Sequence, residues 1–158
     1  MLNKKIAFIG SGAMAEAMIS GLLRQKLAKP ENLNASDARR ERADELKERY
    51  GVNPFTDNNQ AAGQVDVVVL SVKPQRLTEV LKGLKSAVPQ NALVLSIVAG
   101  ATISKISNGL AHEAVVRSMP NTPAQISQGI TVWMASSAVS RCHSSLLARR
   151  TLARSPDW

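Results

Sequence analysis

The sequence predicts an α/β fold: one doubly wound, mainly parallel sheet with helices on both faces. Three observations carry that prediction. Apolar runs alternate along the chain with segments of helical periodicity, and strands separated by helices pair in parallel through right-handed crossovers. The first run, Lys5–Ile9, breaks directly into Gly10-x-Gly12-x-x-Ala15. That pattern is a strand, a tight turn and a helix start in immediate succession. The next apolar run is followed at once by an acid, Asp37. Together these describe a Rossmann-type sheet.

Each element has its own warrant. Lys5–Ile9 reads as a buried strand. Ala13–Gln25 reads as a helix with Met14, Ala17, Met18, Gly21 and Leu22 on one face. Pro30 marks a loop, and Leu33–Ser36 is a short second strand. Arg40–Tyr50 alternates acid and base, which reads as a solvated helix, and Gly51 is a natural stop. Val52–Phe55 is a third strand, and Asn58–Gly63 a short helical turn. Val65–Val72 contains Val67-Val68-Val69-Leu70, a strand to be buried on both faces. Pro74 ends it, and Leu77–Leu84 forms a helix. Leu93–Val98 is a strand stopped by Ala99-Gly100, and Thr102 caps a short helix running to Leu110. Val115–Met119 and Ile130–Met134 are the last strands, with Pro120 and Pro123 bracketing a rigid loop between them.

Composition narrows the function classes. A hydrophobic share of 44% with 20% charged residues describes a soluble globular protein. The single cysteine, Cys142, cannot close an internal disulfide, which fits a reducing compartment such as the cytoplasm. No apolar run is long enough for a membrane span. Lys4 and Lys5 before an apolar stretch imitate a secretory signal, but that stretch already serves as strand, turn and helix, and Glu16 interrupts it. The net charge of +8 does not point to nucleic acid. Part of it sits on Arg141, Arg149, Arg150 and Arg154 near the end, the rest is spread through mixed-charge segments, and no aromatics interleave with the basic residues. His112 and His143 are too isolated to argue for a metal.

The chemistry begins at the glycine turn. Gly10 permits the turn, Gly12 lacks a Cβ and lets a pyrophosphate approach the backbone, and Ala15 lets the helix pack on the strand. The turn Gly10, Ser11, Gly12, Ala13, Met14 and Ala15 then offers helix N-terminal amides to the phosphates. In such sheets ligands lie beyond the carboxyl ends of the strands. The residues that follow the strands are therefore the cofactor candidates: Asp37 for the adenosine ribose, Ser71-Val72-Lys73-Pro74, Ala99-Gly100, and Met119 to Pro123. Asp37 would bond ribose hydroxyls and favour NADH, whereas Arg39 and Arg40 beside it would clamp a 2′-phosphate and favour NADPH. Lys73 is either a wall of the cofactor site or an exposed residue held by Pro74. Asn58, taken alone, reads as a helix cap.

The strand ends also carry a resemblance. Phe8-Ile9-Gly10-x-Gly12-x-Met14-Ala15, Val69 to Pro74, Ser96-Ile97-Val98-Ala99-Gly100 and Arg117-x-Met119-Pro120-Asn121-Thr122-Pro123 with Gly129 resemble the N-terminal domain of pyrroline-5-carboxylate reductases. The resemblance covers about residues 5 to 135, and the Met-Pro-Asn-Thr-Pro run is its most specific part. It implies reduction of the C=N bond of Δ1-pyrroline-5-carboxylate to L-proline by NADPH or NADH, the last step of proline synthesis. It implies that Asn58 lies on the adenosine side, that Asn121 and Thr122 border the nicotinamide and the substrate, and that no metal is needed. It names no catalytic side chain here. A non-catalytic NAD(P)-binding module and a relative of the β-hydroxyacid dehydrogenases are the alternatives.

Two domains of unequal standing follow: residues 1–135 as the dinucleotide-binding domain, and residues 136–158 as an atypical Ser/Arg-rich tail. By the resemblance, longer family members carry there a helical domain that interlocks two subunits and supplies most of the substrate pocket. The tail reads as a frame-shifted end, a short natural variant or an artificial boundary. On any of these the chain is expected to bind nucleotide better than it catalyses, because half the walls around the transition state are missing.

Overall fold

The computed structural model describes residues 3–120 and 131–139. Within them the apolar runs form strands and the periodic segments form helices. The order is β1 (Ile6–Ile9), α1 (Ala13–Arg24), β2 (Leu33–Ser36), α2 (Arg40–Tyr50), β3 (Asn53–Phe55) and α3 (Asn58–Ala62). It continues with β4 (Val67–Leu70), α4 (Leu77–Leu84), β5 (Leu93–Ser96), α5 (Ile103–Leu110), β6 (Val115–Pro120) and β7 (Thr131–Ala135). Single 3-10 turns at Pro30–Asn32 and Pro74–Arg76 precede β2 and α4, and each opens on a proline whose fixed φ suits a helical first turn. β2, α2 and α4 keep their predicted bounds, and the other elements move by a residue or two at one end or both.

The strands form one seven-stranded sheet in the order β3-β2-β1-β4-β5-β6-β7. Every pair from β3 to β6 is parallel. β7 is antiparallel to β6, with Val116 opposite Ala135 and Met119 opposite Val132. The last step thus departs from the strand–helix–strand rhythm. Too few residues lie between Pro120 and Thr131 for a parallel crossover, which takes a dozen or more.

The central strands β1, β4 and β5 are buried on both faces, and their side chains alternate between two layers with a period of two. Ile6 and Phe8 of β1, Val67 and Val69 of β4, and Leu93 and Leu95 of β5 face α1 and α2. Ala7, Ile9, Val68, Leu70 and Val94 face the opposite layer, against Leu77, Leu81 and Leu84 of α4 and Ile106 and Leu110 of α5. Each fully buried aliphatic or phenyl side chain contributes about 1.5–3 kcal/mol of transfer free energy. His112, just past α5, is buried with its ring Nε2 at 2.7 Å from the Ala92 carbonyl, and so ties the end of α5 to the approach of β5.

The buried face of α1 corrects the sequence reading. The residues turned to the sheet are Ala15, Met18, Ile19 and Leu22. Met14, Ala17 and Gly21 are only partly covered. α1 is apolar almost all round, so two stripes satisfy the helical period. The stripe containing Ile19 buries more surface and packs the small Ala15 against β1.

Candidate nucleotide-binding site

Strand register builds one end of the sheet into a single edge. Ile9 pairs with Ser36 and with Leu70, Leu70 pairs with Ser96, and Ser96 pairs with Arg117. The residues that follow these positions therefore emerge side by side. They are Gly10 after β1, Asp37 after β2, Ser71 after β4 and Ile97 after β5. From β2 across to β6 this edge spans roughly 19 Å at ordinary strand spacing. β1 and β4, neighbours at its centre, send their connections to opposite faces of the sheet, which is the switch point where such folds bind ligands.

At the centre lies the glycine turn. Gly10 has φ +89°, and a Cβ there would meet Val72 Cγ1 at 2.8 Å and the Ser71 carbonyl at 3.0 Å. Only glycine fits, in angle and in space. The Ser71 hydroxyl donates to the Gly10 carbonyl at 2.7 Å, so β4 holds the turn from one side. The Gly10 amide and the Ser11 hydroxyl both donate to the Ser36 carbonyl, each at 3.0 Å, so β2 holds it from the other. Ser11 is fully buried and turned inward. Gly12 has the opposite surroundings: a Cβ there would meet nothing within 4 Å. Gly12 caps α1 without any side-chain hydrogen bond, which leaves the first-turn amides of Ala13, Met14 and Ala15 to whatever occupies that space.

The β2 side carries the charged groups. Asp37 donates its amide to the Phe55 carbonyl at 3.1 Å. Its carboxylate accepts from the Arg39 amide at 3.0 Å and from Arg39 Nε at 3.3 Å. The Asp37 side chain is 15% exposed and that of Arg39 71% exposed, so the guanidinium stands outward over a carboxylate it partly neutralises. Arg40 is drawn away to Asp44 at 3.0 Å. Asn58 is brought to the site, but not as a cap. The side chain of Asp57 caps α3 by accepting from the Asn59 amide, while Asn58 Oδ1 accepts from the Ser36 hydroxyl at 2.8 Å.

On the β4 and β5 side, Val72 packs against Gly10, and Lys73 and Pro74 are exposed at the start of their 3-10 turn. Ala99 and Gly100 are exposed, and Gly100 takes a left-handed φ of +71°. Met119 is 40% exposed at the end of β6. Asn121 and Thr122 lie outside the described residues, as do Pro123, Gly129 and residues 140–158 of the tail.

The sequence reading did not foresee the ion network behind the turn. Arg42 of α2 donates Nε to the Ser11 carbonyl at 2.9 Å, Nη1 to Glu45 at 2.7 Å, and Nη2 to Glu16 of α1. Arg49 also pairs with Glu16 and with Glu45, and the Tyr50 hydroxyl donates to Glu16 at 3.0 Å. Hydrogen bonding from Arg42 holds the Glu16 carboxyl below the usual value near 4.5 against the opposing effect of burial, and Tyr50 and Arg49 add to it. The same bond raises the Arg42 guanidinium further. Alternating charge along α2 suggests only a solvated face. The missing signal was the acid Glu16 in the first turn of an otherwise apolar helix.

Residues 5–100 match the family described as NADP oxidoreductase coenzyme F420-dependent. A pyrroline-5-carboxylate reductase of Vibrio alginolyticus is 42% identical over 132 residues, which are 83% of this chain and 48% of that protein. Among solved structures, a pyrroline-5-carboxylate reductase from Coxiella burnetii superposes with a TM-score of 0.87 at 32% identity, covering 96% of this chain and 57% of that one. A Plasmodium falciparum pyrroline carboxylate reductase with NADP bound superposes with a TM-score of 0.80 at 27% identity, covering 93% and 53%. The chain spans about half the length of the curated relatives it matches.

Proposed function

We propose, because the chain belongs to the NADP oxidoreductase (coenzyme F420-dependent) family and its relatives in sequence are pyrroline-5-carboxylate reductases, that it is the cofactor-holding part of such a reductase. A bound NADPH would supply a hydride to the carbon of the protonated imine of Δ1-pyrroline-5-carboxylate, giving L-proline and NADP+. The observation that carries this reading is the open space over Gly12, set at the N-terminus of α1 and flanked by aligned strand ends.

The fit to a dinucleotide follows from the residues themselves. Gly12 puts no side chain in the way, and the amides of Ala13, Met14 and Ala15 at the start of α1 suit a diphosphate. Asp37, Arg39 and Asn58 stand on the adenosine side. Arg39 offsets the charge of Asp37 and projects outward, which supports NADPH over NADH. Ser71 to Pro74 and Ala99-Gly100 wall the path toward β6. Asn121 and Thr122 are assigned to the nicotinamide and substrate end by resemblance. The remaining walls of the substrate pocket, and the contacts between subunits, are assigned to the part of the relatives' length that this chain does not span. The reading carries a cytoplasmic location with it; among the described residues no helix is long and apolar enough to cross a membrane.

Calorimetric titration of the 158-residue chain with NADPH and with NADH tests the binding half of the proposal. NADPH is expected to bind about tenfold tighter, a difference of about 1.4 kcal/mol. No heat with either coenzyme overturns it. Proline formation from Δ1-pyrroline-5-carboxylate, assayed with the chain alone, tests the catalytic half, and a rate far below that of a full-length relative is expected.

A further inference from the structure

We propose that Arg42 is a positioning residue for the pyrophosphate turn: it fixes the Ser11–Gly12 peptide plane from the α2 side so that the Gly12 N–H is presented to the phosphates. The inference rests on the dinucleotide reading and adds to it a residue outside the glycine motif.

Five observations support it. All three guanidinium nitrogens of Arg42 are engaged by protein: Nε by the Ser11 carbonyl at 2.9 Å, Nη1 by Glu45 and Nη2 by Glu16. Its side chain is only 13% exposed, so it is not a solvent-facing anion receptor. It acts through another group. The Ser11 carbonyl it holds belongs to the same planar, trans peptide as the Gly12 N–H. In such a unit the C=O and N–H bonds point in opposite directions, so fixing the carbonyl toward α2 aims the amide N–H away from α2. The space beside Gly12 is open to 4 Å. The Ser11 side chain is locked separately by its bond to the Ser36 carbonyl. The turn is thus held by β2 through the hydroxyl and by α2 through the carbonyl.

The network also solves a charge problem. Glu16 lies in the first turn of α1, where a carboxylate favours the helix but repels an incoming diphosphate. Arg42 and Arg49 cover it from the side facing α2. A lysine at position 42 would keep a charge near Glu16. It could not donate to the Ser11 carbonyl and both carboxylates in one plane.

The test compares two fragments of the coenzyme. ADP-ribose carries the pyrophosphate, whereas adenosine 2′-monophosphate reaches only the Asp37–Arg39 side. In Arg42→Gln, affinity for ADP-ribose and NADPH is expected to fall about tenfold or more, with adenosine 2′-monophosphate changed less than twofold. Arg42→Lys should fall between the variant and the parent chain in the same ratio. It also carries the test if Arg42→Gln fails to fold. Arg49→Gln, which keeps the Arg42–Ser11 bond but uncovers part of Glu16, should weaken ADP-ribose clearly less than Arg42→Gln does and leave adenosine 2′-monophosphate unchanged. Equal loss of both fragments, or loss of neither, overturns the proposal. An unsubstituted chain that binds no ADP-ribose removes the dinucleotide reading itself, and the role of Arg42 with it.

Discussion

The middle of the sheet and its β6–β7 edge are built to different standards. Around β1, the turn is held by hydrogen bonds from several elements. Ser36 serves Gly10 and Ser11, Ser71 serves Gly10, and Arg42 serves Ser11. At the edge, Met119, Val132, Trp133 and Met134 are exposed, Val132 by 66%. There too the buried Arg117 Nε and Ser118 Oγ find no hydrogen-bond partner among the described residues. The contrast teaches that the two tasks of the site are separable. On the proposed reading, the phosphate turn is held within the described elements, whereas the β6–β7 edge keeps exposed apolar side chains and unpartnered polar atoms among the described residues.

The strongest way to break that contrast is Gly10→Ala. The new Cβ would strike Val72 and the Ser71 backbone at a φ that alanine resists. We expect a loss of about 2–4 kcal/mol in stability and no measurable NADPH binding, read by thermal unfolding and calorimetry. Gly12→Val sharpens it. Its Cβ enters empty space, so the melting temperature should hold within a few degrees while NADPH affinity drops roughly 100-fold. A matched fall in stability would show that the space is structural instead. Arg39→Gln should weaken NADPH about tenfold and leave NADH unchanged in the same titration.

Acid gives a gentler probe of the central network. The Glu16 carboxyl titrates lower in the folded chain than in the unfolded one. Its contribution is therefore fully present above about pH 4.5 and is lost as pH falls through the folded value. Denaturant midpoints measured from neutral pH downward should decline less steeply in Glu16→Gln than in the parent. Parallel curves would disprove the coupling. The smallest effect belongs to the edge. Val132→Thr with Met134→Gln should change stability by less than about 0.5 kcal/mol, yet lower any concentration-dependent light scattering.

Much of this organisation could be read in the chain before any coordinates, and the reasons are local. Leu33–Ser36, Arg40–Tyr50 and Leu77–Leu84 are bounded by residues with strong stop or start chemistry, such as Gly51 in the left-handed region after α2. The cofactor edge was legible because strand ends of a parallel sheet must share one side. Other features depended on comparing competing neighbours. The stripe of α1 that faces the sheet was set by packing against β1 and β2, and periodicity alone could not choose it. Asp57, one residue before the helix, caps α3, while Asn58, its first residue, accepts from Ser36. Arg42 looked like one more charge on a wet helix. Its meaning emerged only when α1 and α2 lay side by side with Glu16 between them.

β7 runs against the grain of the other strands, and this decides where the polypeptide leaves the sheet. It enters at Thr131, opposite Pro120 on the coenzyme side, and exits past Ala135 opposite Val116. Ser136 is then stitched back by its amide to the Val115 carbonyl at 2.8 Å. The exit therefore opens on the floor of the molecule, roughly 17 Å of strand away from the mouth. β7 thus carries the backbone away from the glycine-turn end of the sheet, with Val132 and Met134 exposed along the way.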